Sequence, residues 1–590
     1  MKRLFPYFKP YIWHSILGPL FKLLEATFEL LVPVVVGLLV DKGLGEYVEG
    51  AGYVNADVGY IVNMCLLLVL FGVLGCVFAV IAQYFAARTA TGVSAKIRSQ
   101  LFRRLQTLSY KDFDRLGTST MLTRITGDID RLQAGVNLAL RLFLRSPFIV
   151  FGAVITAWII DPGSVFTFLL TVGALAVVVF SVMLGTTPMY KKAQEDLDAL
   201  TLSTRENLTG VRVVRAFCRE GAENQLFDKR NAKLSRAKKA VGALAAITNP
   251  LTYVLVNGGI LLLLYVGAIH VEDGLLTQGS VIALYNLMGQ ILIELIKFAN
   301  LIVSVSKAVA SGGRISAVLA MQPSLETDEE ESNPAEAMAA EETPFVEFRN
   351  VSMRYSSGGD PALENVSFAL RRGQTLGIIG GTGSGKTTLV NLIPHFYDIC
   401  EGQVRVDGKN VREKGMQEYL RERIGVVPQK ARLFKGTIRE NLLWGRSDAT
   451  DEELYAALEV AQATEVVADK GGLDAEVQQG GKNFSGGQKQ RLTIARAIVR
   501  KSDILILDDS SSALDYATDA ALKKGLKTLD TTVIIVSQRT SSVQNADQIL
   551  VLDDGKVVGL GTHKQLLESC LEYQTIYRSQ HTEQSEGGAA

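Results

Sequence analysis

Long apolar runs separated by unequal polar breaks fill the first half of the chain. They lie at approximately 12–40, 58–87, 137–160, 163–187, 244–270 and 279–308. Each is long enough, at about 1.5 Å per residue, to cross a hydrocarbon core roughly 30 Å thick. The breaks set the topology. Residues 88–136 carry Arg88, Lys96, Arg98, Arg103, Arg104 and further bases to Arg131, and residues 188–243 are comparably basic from Lys191 to Lys239. The 41–57 break has one Lys against Asp41, Glu46, Glu49 and Asp57, while Asp161-Pro162-Gly163 and Val271–Gln278 have no Lys or Arg. The positive-inside rule places both basic segments, and with them both chain ends, in the cytoplasm. Apolar periodicity over Leu197–Phe217 makes these segments helical stalks, not solvated linkers, with turns near Leu116-Gly117 and Thr209-Gly210.

The pattern changes after residue 320. Residues 321–344 hold eight acids and no base, which reads as a disordered or extended linker. From 345 to 578 short apolar strands alternate with helical stretches, the pattern of one α/β nucleotide-binding domain. A polar tail, 579–590, is expected to be disordered. The predicted fold is thus a six-span α-helical membrane bundle, residues 1–320, followed by an α/β P-loop domain.

Composition narrows the class. The 590 residues are 48% hydrophobic and 21% charged, with zero formal net charge, so nothing favours nucleic acid as a partner. Cys65, Cys76, Cys218, Cys400 and Cys570 are scattered and lack metal spacing, which reads as free thiols in a reducing compartment. Lys2, Arg3 and Lys9 precede the first apolar run without a small-residue cleavage site, so the N-terminus reads as an uncleaved membrane entry.

The strand Thr375-Leu-Gly-Ile-Ile runs into Gly380-Gly381-Thr382-Gly383-Ser384-Gly385-Lys386-Thr387-Thr388, with a helix expected from Leu389. This is G-x-x-x-x-G-K-T between strand and helix, the context that makes it a phosphate-binding loop. Its glycines let backbone N–H groups turn around a β-phosphate, and the helix N-terminus adds a favourable dipole. Lys386 would contact β and γ oxygens, and the Thr387 hydroxyl would ligate Mg²⁺. Ile504-Leu-Ile-Leu-Asp508 reads as a buried strand delivering the Asp508 carboxylate to the same Mg²⁺, with ATP as the nucleotide.

One further motif narrows the family. Phe484-Ser485-Gly486-Gly487-Gln488-Lys489-Gln490-Arg491 resembles the signature of ATP-binding cassette transporters, where Leu more often stands first. Gln429 resembles the Q-loop residue, Ser512–Asp515 resembles the D-loop, and Tyr355 resembles the aromatic that stacks on adenine. Six spans followed by one such cassette resemble a half-transporter of the exporter class. That resemblance implies a second half-transporter, so that Ser485, Gly486, Gly487 and Gln488 complete the partner's ATP site. It implies Gln429 near Mg²⁺ with Thr387 and Asp508, and a multi-pass place in a cell membrane, the bacterial inner membrane expected.

Two positions depart from the family. Where it usually has Glu after the strand acid, this chain has Asp509; where it has His, this chain has Gln538. Asp509 is one methylene shorter, so its carboxylate falls about 1 Å or more short of the attacking water, and misplacement on that scale can cost about a hundredfold in rate. Gln538 can hydrogen-bond to a γ-phosphate but cannot carry a proton or positive charge. The expectation is a weakened site that holds ATP, in a heterodimer similar to bacterial multidrug exporters.

Lys22, Glu25 and Glu29 share one face of span 1, with Glu294 and Lys297 of span 6 as candidate partners. Charge at membrane depth faces a cavity or pairs between helices, and both readings stay open. Trp13, Tyr253, Tyr265 and Tyr285 fit interfacial anchors or packing as well as they fit ligand contacts. The transported molecule is expected to be small and amphipathic or drug-like, or a lipid. A peptide or siderophore is the alternative within the family; an ATP-gated channel or regulatory subunit is the alternative outside it.

Overall fold

A computed structural model describes residues 2–44, 46–48, 52–54, 57–325, 344–356 and 358–581. Most of the acidic stretch 321–344, and the tail beyond His581, lie outside the described residues. The chain divides into two units. One comprises Met1–Thr107 and Gly117–Met321; the other comprises Leu108–Leu116 together with the chain from Gln322 onward. The nine residues Leu108–Leu116, expected within 1–320, therefore group with the cassette.

In the first unit six helices are long and apolar enough to cross a membrane: Arg3–Gly43, Val58–Thr107, Thr118–Ile160, Val165–Thr209, Glu220–Glu272 and Gln278–Ala320. Val58–Thr107 runs 50 residues without a break. At 1.5 Å per residue that is about 75 Å, far beyond the hydrocarbon core, so its lower half is stalk. None of its most apolar window is buried, as expected of a lipid-facing surface. Below that window Ala82, Ala86, Ala90, Val93 and Ile97 form a buried stripe at helical spacing. The stalk turns fall where glycine and short polar side chains compete with the helix. Gly117 adopts φ +73° ahead of Thr118–Thr123, and Gly210 separates Val165–Thr209 from the short helix Val211–Ala216. Between spans 3 and 4 the Asp161 carboxylate accepts from the backbone N–H of Gly163 at 3.1 Å and of Ser164 at 2.8 Å, which closes the turn.

The charges in spans 1 and 6 do pair between helices, through a residue the sequence reading passed over. Arg145, at the head of Arg145–Ile160 in span 3, donates to Glu294 at 2.7 Å and to Glu29 at 2.5 Å. Ser146 and Lys297 also donate to Glu294, at 2.9 and 2.8 Å, and Lys22 pairs with Glu25 at 2.5 Å. Arg145 and Glu294 are both buried. Glu294 and Lys297 thus reach span 1 only by way of the Arg145 guanidinium, whose fork can serve two carboxylates at once.

Among the described residues the cassette holds a six-stranded sheet, a four-stranded one and a short antiparallel pair, Gly436–Thr437 with Glu476–Val477. In chain order the strands of the two larger sheets are β1 (Val346–Met353), β2 (Leu363–Leu370), β3 (Thr375–Gly380), β4 (Glu401–Val406), β5 (Lys409–Asn410), β6 (Ile424–Val427), β7 (Ile504–Asp508), β8 (Thr532–Val536), β9 (Gln548–Asp553) and β10 (Lys556–Gly561). The larger sheet has order β10-β9-β3-β8-β7-β6 and is parallel except for β10; the smaller, β2-β1-β4-β5, is antiparallel. The second sheet was not expected. Its strands alternate buried and exposed positions, as one-sided antiparallel strands do, whereas β7 and β8 are buried at every position.

The helices that matter for the site are α1 (Lys386–Leu392), α2 (Gly486–Val499), α3 (Tyr516–Leu526), α4 (Thr540–Val543) and α5 (Leu571–His581). Two boundaries differ from the sequence reading. Helix α1 begins at Lys386, three residues before Leu389, because Gly385 in the left-handed region serves as its N-cap. Residues 579–581, expected in a disordered tail, continue α5.

Arg145→Ala should lower the thermal midpoint of the detergent-purified protein, since it strands buried Glu294 without its guanidinium, at a cost on the order of 3 kcal/mol. Arg145→Lys should recover only part of that loss, because an ammonium cannot bridge both carboxylates with the same geometry. Equal midpoints for all three proteins would contradict the bridging role.

Candidate nucleotide site

The parallel strands β3, β7 and β8 end at one edge of the sheet, and there the phosphate-loop chemistry gathers, as ligand sites do at the carboxyl ends of open α/β sheets. A cleft of about 330 Å³ is lined by Tyr355, Thr382, Gly383, Gly385, Lys386, Thr387, Thr388, Gln429, Asp508, Asp509, Ser537 and Gln538, together with Ala362. Two glycines are there for space. A Cβ on Gly380 would lie 2.1 Å from the Leu552 carbonyl oxygen, and one on Gly385 would lie 2.6 Å from that of Ala362, at φ +93°.

Lys386 is buried, and its ammonium donates to the carbonyls of Gly380 at 2.9 Å and Gly381 at 2.5 Å and to Ser384 Oγ at 3.2 Å. Burial pushes its pKa down, against the pull of Asp509 and Asp508. The Thr387 hydroxyl lies 3.1 Å from each oxygen of the Asp508 carboxylate. Burial pushes the Asp508 pKa up and the neighbouring Asp509 charge adds to this, while Thr387 and Lys386 oppose it. The pocket therefore contains a buried ammonium bonded to neutral acceptors and a buried carboxylate bonded to the Thr387 hydroxyl, both of which would gain from an opposite charge.

A Mg²⁺–polyphosphate fits both demands. Hard oxygen donors, the Thr387 hydroxyl and the Asp508 carboxylate, converge on one point. Among the described residues no group of three or more His, Cys, Asp and Glu side chains is placed to hold a metal alone. That is the usual condition of Mg²⁺, which relies on one or two protein oxygens plus substrate phosphates and water.

Asp509 and Gln538 both face this cleft. Asp509 leaves β7 with φ +46° and its N–H donates to the Val536 carbonyl at 3.0 Å. A left-handed backbone is easier for Asp than for most residues with a Cβ, because its short side chain hydrogen-bonds locally. Gln429 Nε2 lies 3.5 Å from Asp509 Oδ2. Tyr355 is half-exposed; its hydroxyl sits 2.9 Å from Thr388 Oγ1 and its ring packs edge-on against Tyr397 at 5.2 Å.

Ser485 to Gln488 do not line the cleft. Ser485 is the N-cap of α2 in a capping box: its hydroxyl accepts from Gln488 N–H at 3.3 Å, and Gln488 Oε1 accepts from Ser485 N–H at 3.0 Å. Asp515 likewise stands outside the cleft and caps α3, accepting from Thr518 N–H at 2.9 Å, a bond that holds its carboxyl below the usual range.

The comparisons with known proteins agree with this geometry. The family described as ABC transporter transmembrane region matches residues 15–295, and that described as ABC transporter matches residues 363–512. The uncharacterized ABC transporter ATP-binding protein YfiB of Bacillus subtilis (strain 168) is 33% identical over 582 residues, 98% of each chain. The chain belongs to the ABC transporter family. Another ABC transporter relative, the ATP-dependent lipid A-core flippase of Haemophilus influenzae (strain 86-028NP), is 29% identical over 590 residues, covering 98% of this chain and 97% of that one. A solved structure of a bacterial Atm1-family ABC exporter with ATP bound matches with a TM-score of 0.78 at 22% identity, covering 99% of both chains. The fold of this ABC transporter is therefore that of an exporter, a multi-pass membrane region fused to an ATPase cassette.

Lys386→Ala should weaken Mg²⁺–ATP binding by about tenfold or more, the loss expected for a hydrogen bond to a charged group in a buried site. Thr387→Val should leave metal-free nucleotide binding in place and abolish the gain from Mg²⁺. Equilibrium titration of the purified protein with and without Mg²⁺ checks both, and an unchanged Mg²⁺ gain in Thr387→Val would remove the hydroxyl from the metal site.

Proposed function

We propose that this chain is one half of an ABC exporter heterodimer whose own nucleotide site holds ATP and hydrolyses it slowly. The observation that carries the reading is the placement of Asp509 and Gln538 on the same cleft as Lys386 and Asp508. In this reading Thr387, Asp508 and Gln429 hold Mg²⁺, Lys386 holds the β and γ phosphates, and Tyr355 carries the adenine. The side chain following Asp508 is a carboxylate with one methylene too few, and the γ-phosphate sensor is an amide that cannot take a proton.

The signature Ser485–Gln488 departs from the usual pattern only in the Phe that precedes it, and its serine cap leaves the first N–H groups of α2 directed outward. It supplies the partner's site, and a partner with Glu and His at the matching positions supplies fast hydrolysis. A homodimer would contain two weakened sites.

The transported molecule is a small amphipath, drug-like or lipid. Relatives named as lipid A-core flippases support the lipid end of that range. The cassette and both chain ends lie in the cytoplasm, on the side of the basic stalks.

Purified alone, the chain should bind ATP yet turn it over slowly, and Asp509→Glu combined with Gln538→His should raise its turnover by about tenfold to a hundredfold. Steady-state ATPase assays in lipid nanodiscs, with and without a candidate partner half, give the reading. A lone chain that hydrolyses as fast as the mixture would end the heterodimer proposal.

A further inference from the structure

The loop that carries Gln538 is short and its following helix is weak. Strand β8 ends at Val536, Ser537–Arg539 cross the rim of the cleft, and α4 is only four residues long. A single helical turn satisfies few of its own backbone groups, so this loop depends on outside partners for its position.

Three anchors hold it. Ser537 N–H donates to the Ile378 carbonyl at 3.0 Å, and its Oγ accepts from Arg539 N–H at 3.0 Å. The Arg539 guanidinium lies over the Tyr516 ring, 5.3 Å from its centroid. The third anchor is Gln580, near the end of α5. Its Oε1 accepts from Thr540 N–H at 2.8 Å and from Thr540 Oγ1 at 2.9 Å, and its Nε2 donates to the Gln538 carbonyl at 2.7 Å.

We infer that Gln580 is a positioning residue that sets the place of Gln538 over the nucleotide and so makes the C-terminal helix part of the ATP sensor. One planar carboxamide closes both sides of Arg539 at once. Its oxygen caps the first turn of α4, and its nitrogen holds the carbonyl of the sensor residue itself. Gln580 is exposed, but the Thr540 donors it satisfies are fully buried, so removing its side chain leaves them short of an acceptor. A lateral shift of α5 therefore moves the Gln538 backbone directly. The inference rests on the proposed contact between Gln538 and the γ-phosphate.

The test compares the full-length protein with Gln580→Ala, Gln580→Glu and Gln538→Ala by equilibrium titration with Mg²⁺–ADP and with the non-hydrolysable analogue Mg²⁺–AMP-PNP, alongside thermal midpoints. Gln580→Ala is expected to reduce the preference for the triphosphate about fivefold to tenfold while ADP affinity, set by the phosphate loop and Tyr355, stays unchanged. Gln580→Glu keeps the acceptor for Thr540 but sets a carboxylate oxygen against the Gln538 carbonyl, and is expected to lose at least as much. Combining Gln580→Ala with Gln538→Ala should add nothing to Gln538→Ala alone. If Gln538→Ala shifts the preference and neither Gln580 variant does, the positioning role is overturned. Equal loss of ADP and AMP-PNP binding with a lower midpoint would also overturn it in favour of simple structural support. If Gln538→Ala itself leaves the preference unchanged, the γ-phosphate contact fails and the inference falls with it.

Discussion

A carboxylate buried at the end of an all-apolar strand is costly unless something at that point needs its charge. Asp508 is such a group. Ile504 to Leu507 fix β7 between β6 and β8, and that register buries the acid at the floor of the cleft. Everything else at the strand ends follows from that commitment. Lys386 and Thr387 come to it from the next strand but one, on a loop in which Gly380 and Gly385 are dictated by neighbouring carbonyls. The pocket is assembled with its charges desolvated and only partly balanced, and a metal–phosphate complex would supply the missing opposite charges. The fold keeps the site's electrostatic cost until the ligand arrives.

The membrane unit shows the same physics with a different resolution. Arg145, Glu29 and Glu294 are charges where charge is costly, yet here the opposite sign is supplied by neighbouring helices, not by a ligand. Span 3 thereby joins spans 1 and 6. Lower down, Asp128 is buried and accepts from Arg124 at 2.7 Å, from Ser311 at 3.1 Å and from Arg314, which ties span 3 to span 6 a second time. Polar pairs of this kind define one register between helices whose apolar faces alone would allow several.

The six spans were legible because apolar length and basic breaks are each a one-dimensional signal. The phosphate loop was legible because its residues are contiguous and its context is a strand and a helix. What escaped was held in the third dimension. Arg145 sits in an apolar run that otherwise holds one charge, Arg141, and its partners are more than a hundred residues away in both directions. Two bases inside a span, Arg141 and Arg145, were the available signal, and neither has an acid nearby in sequence to suggest a partner. The antiparallel sheet was signalled only by β1 and β2 interleaving polar residues with apolar ones where β7 and β8 are continuously apolar, and which strands pair depends on connections the sequence does not state. Helix α5 outran its expected end because Gln580 is polar, and a polar residue that bonds to a distant backbone looks in sequence like one that bonds to water.

Asp509 shows how far a single substitution can be read from each side. In sequence it is a Glu that lost a methylene, and the conclusion concerns reach. In the structure it is also a residue at φ +46°, where Asp is among the few non-glycine residues that sit comfortably. The two facts pull in opposite directions. A longer acid would reach the water better but would hold this backbone turn less readily, and that turn also anchors Asp509 N–H to the Val536 carbonyl at the start of the Gln538 loop. Under the proposed function, Asp509 would favour the geometry of a site that holds ATP over one that turns it over. Gln538, an amide fixed by its own carbonyl to Gln580, works in the same sense. In the proposed reading each change would weaken proton or water handling and leave the binding frame in place, the combination expected when ATP serves a cassette as a ligand more than as a substrate.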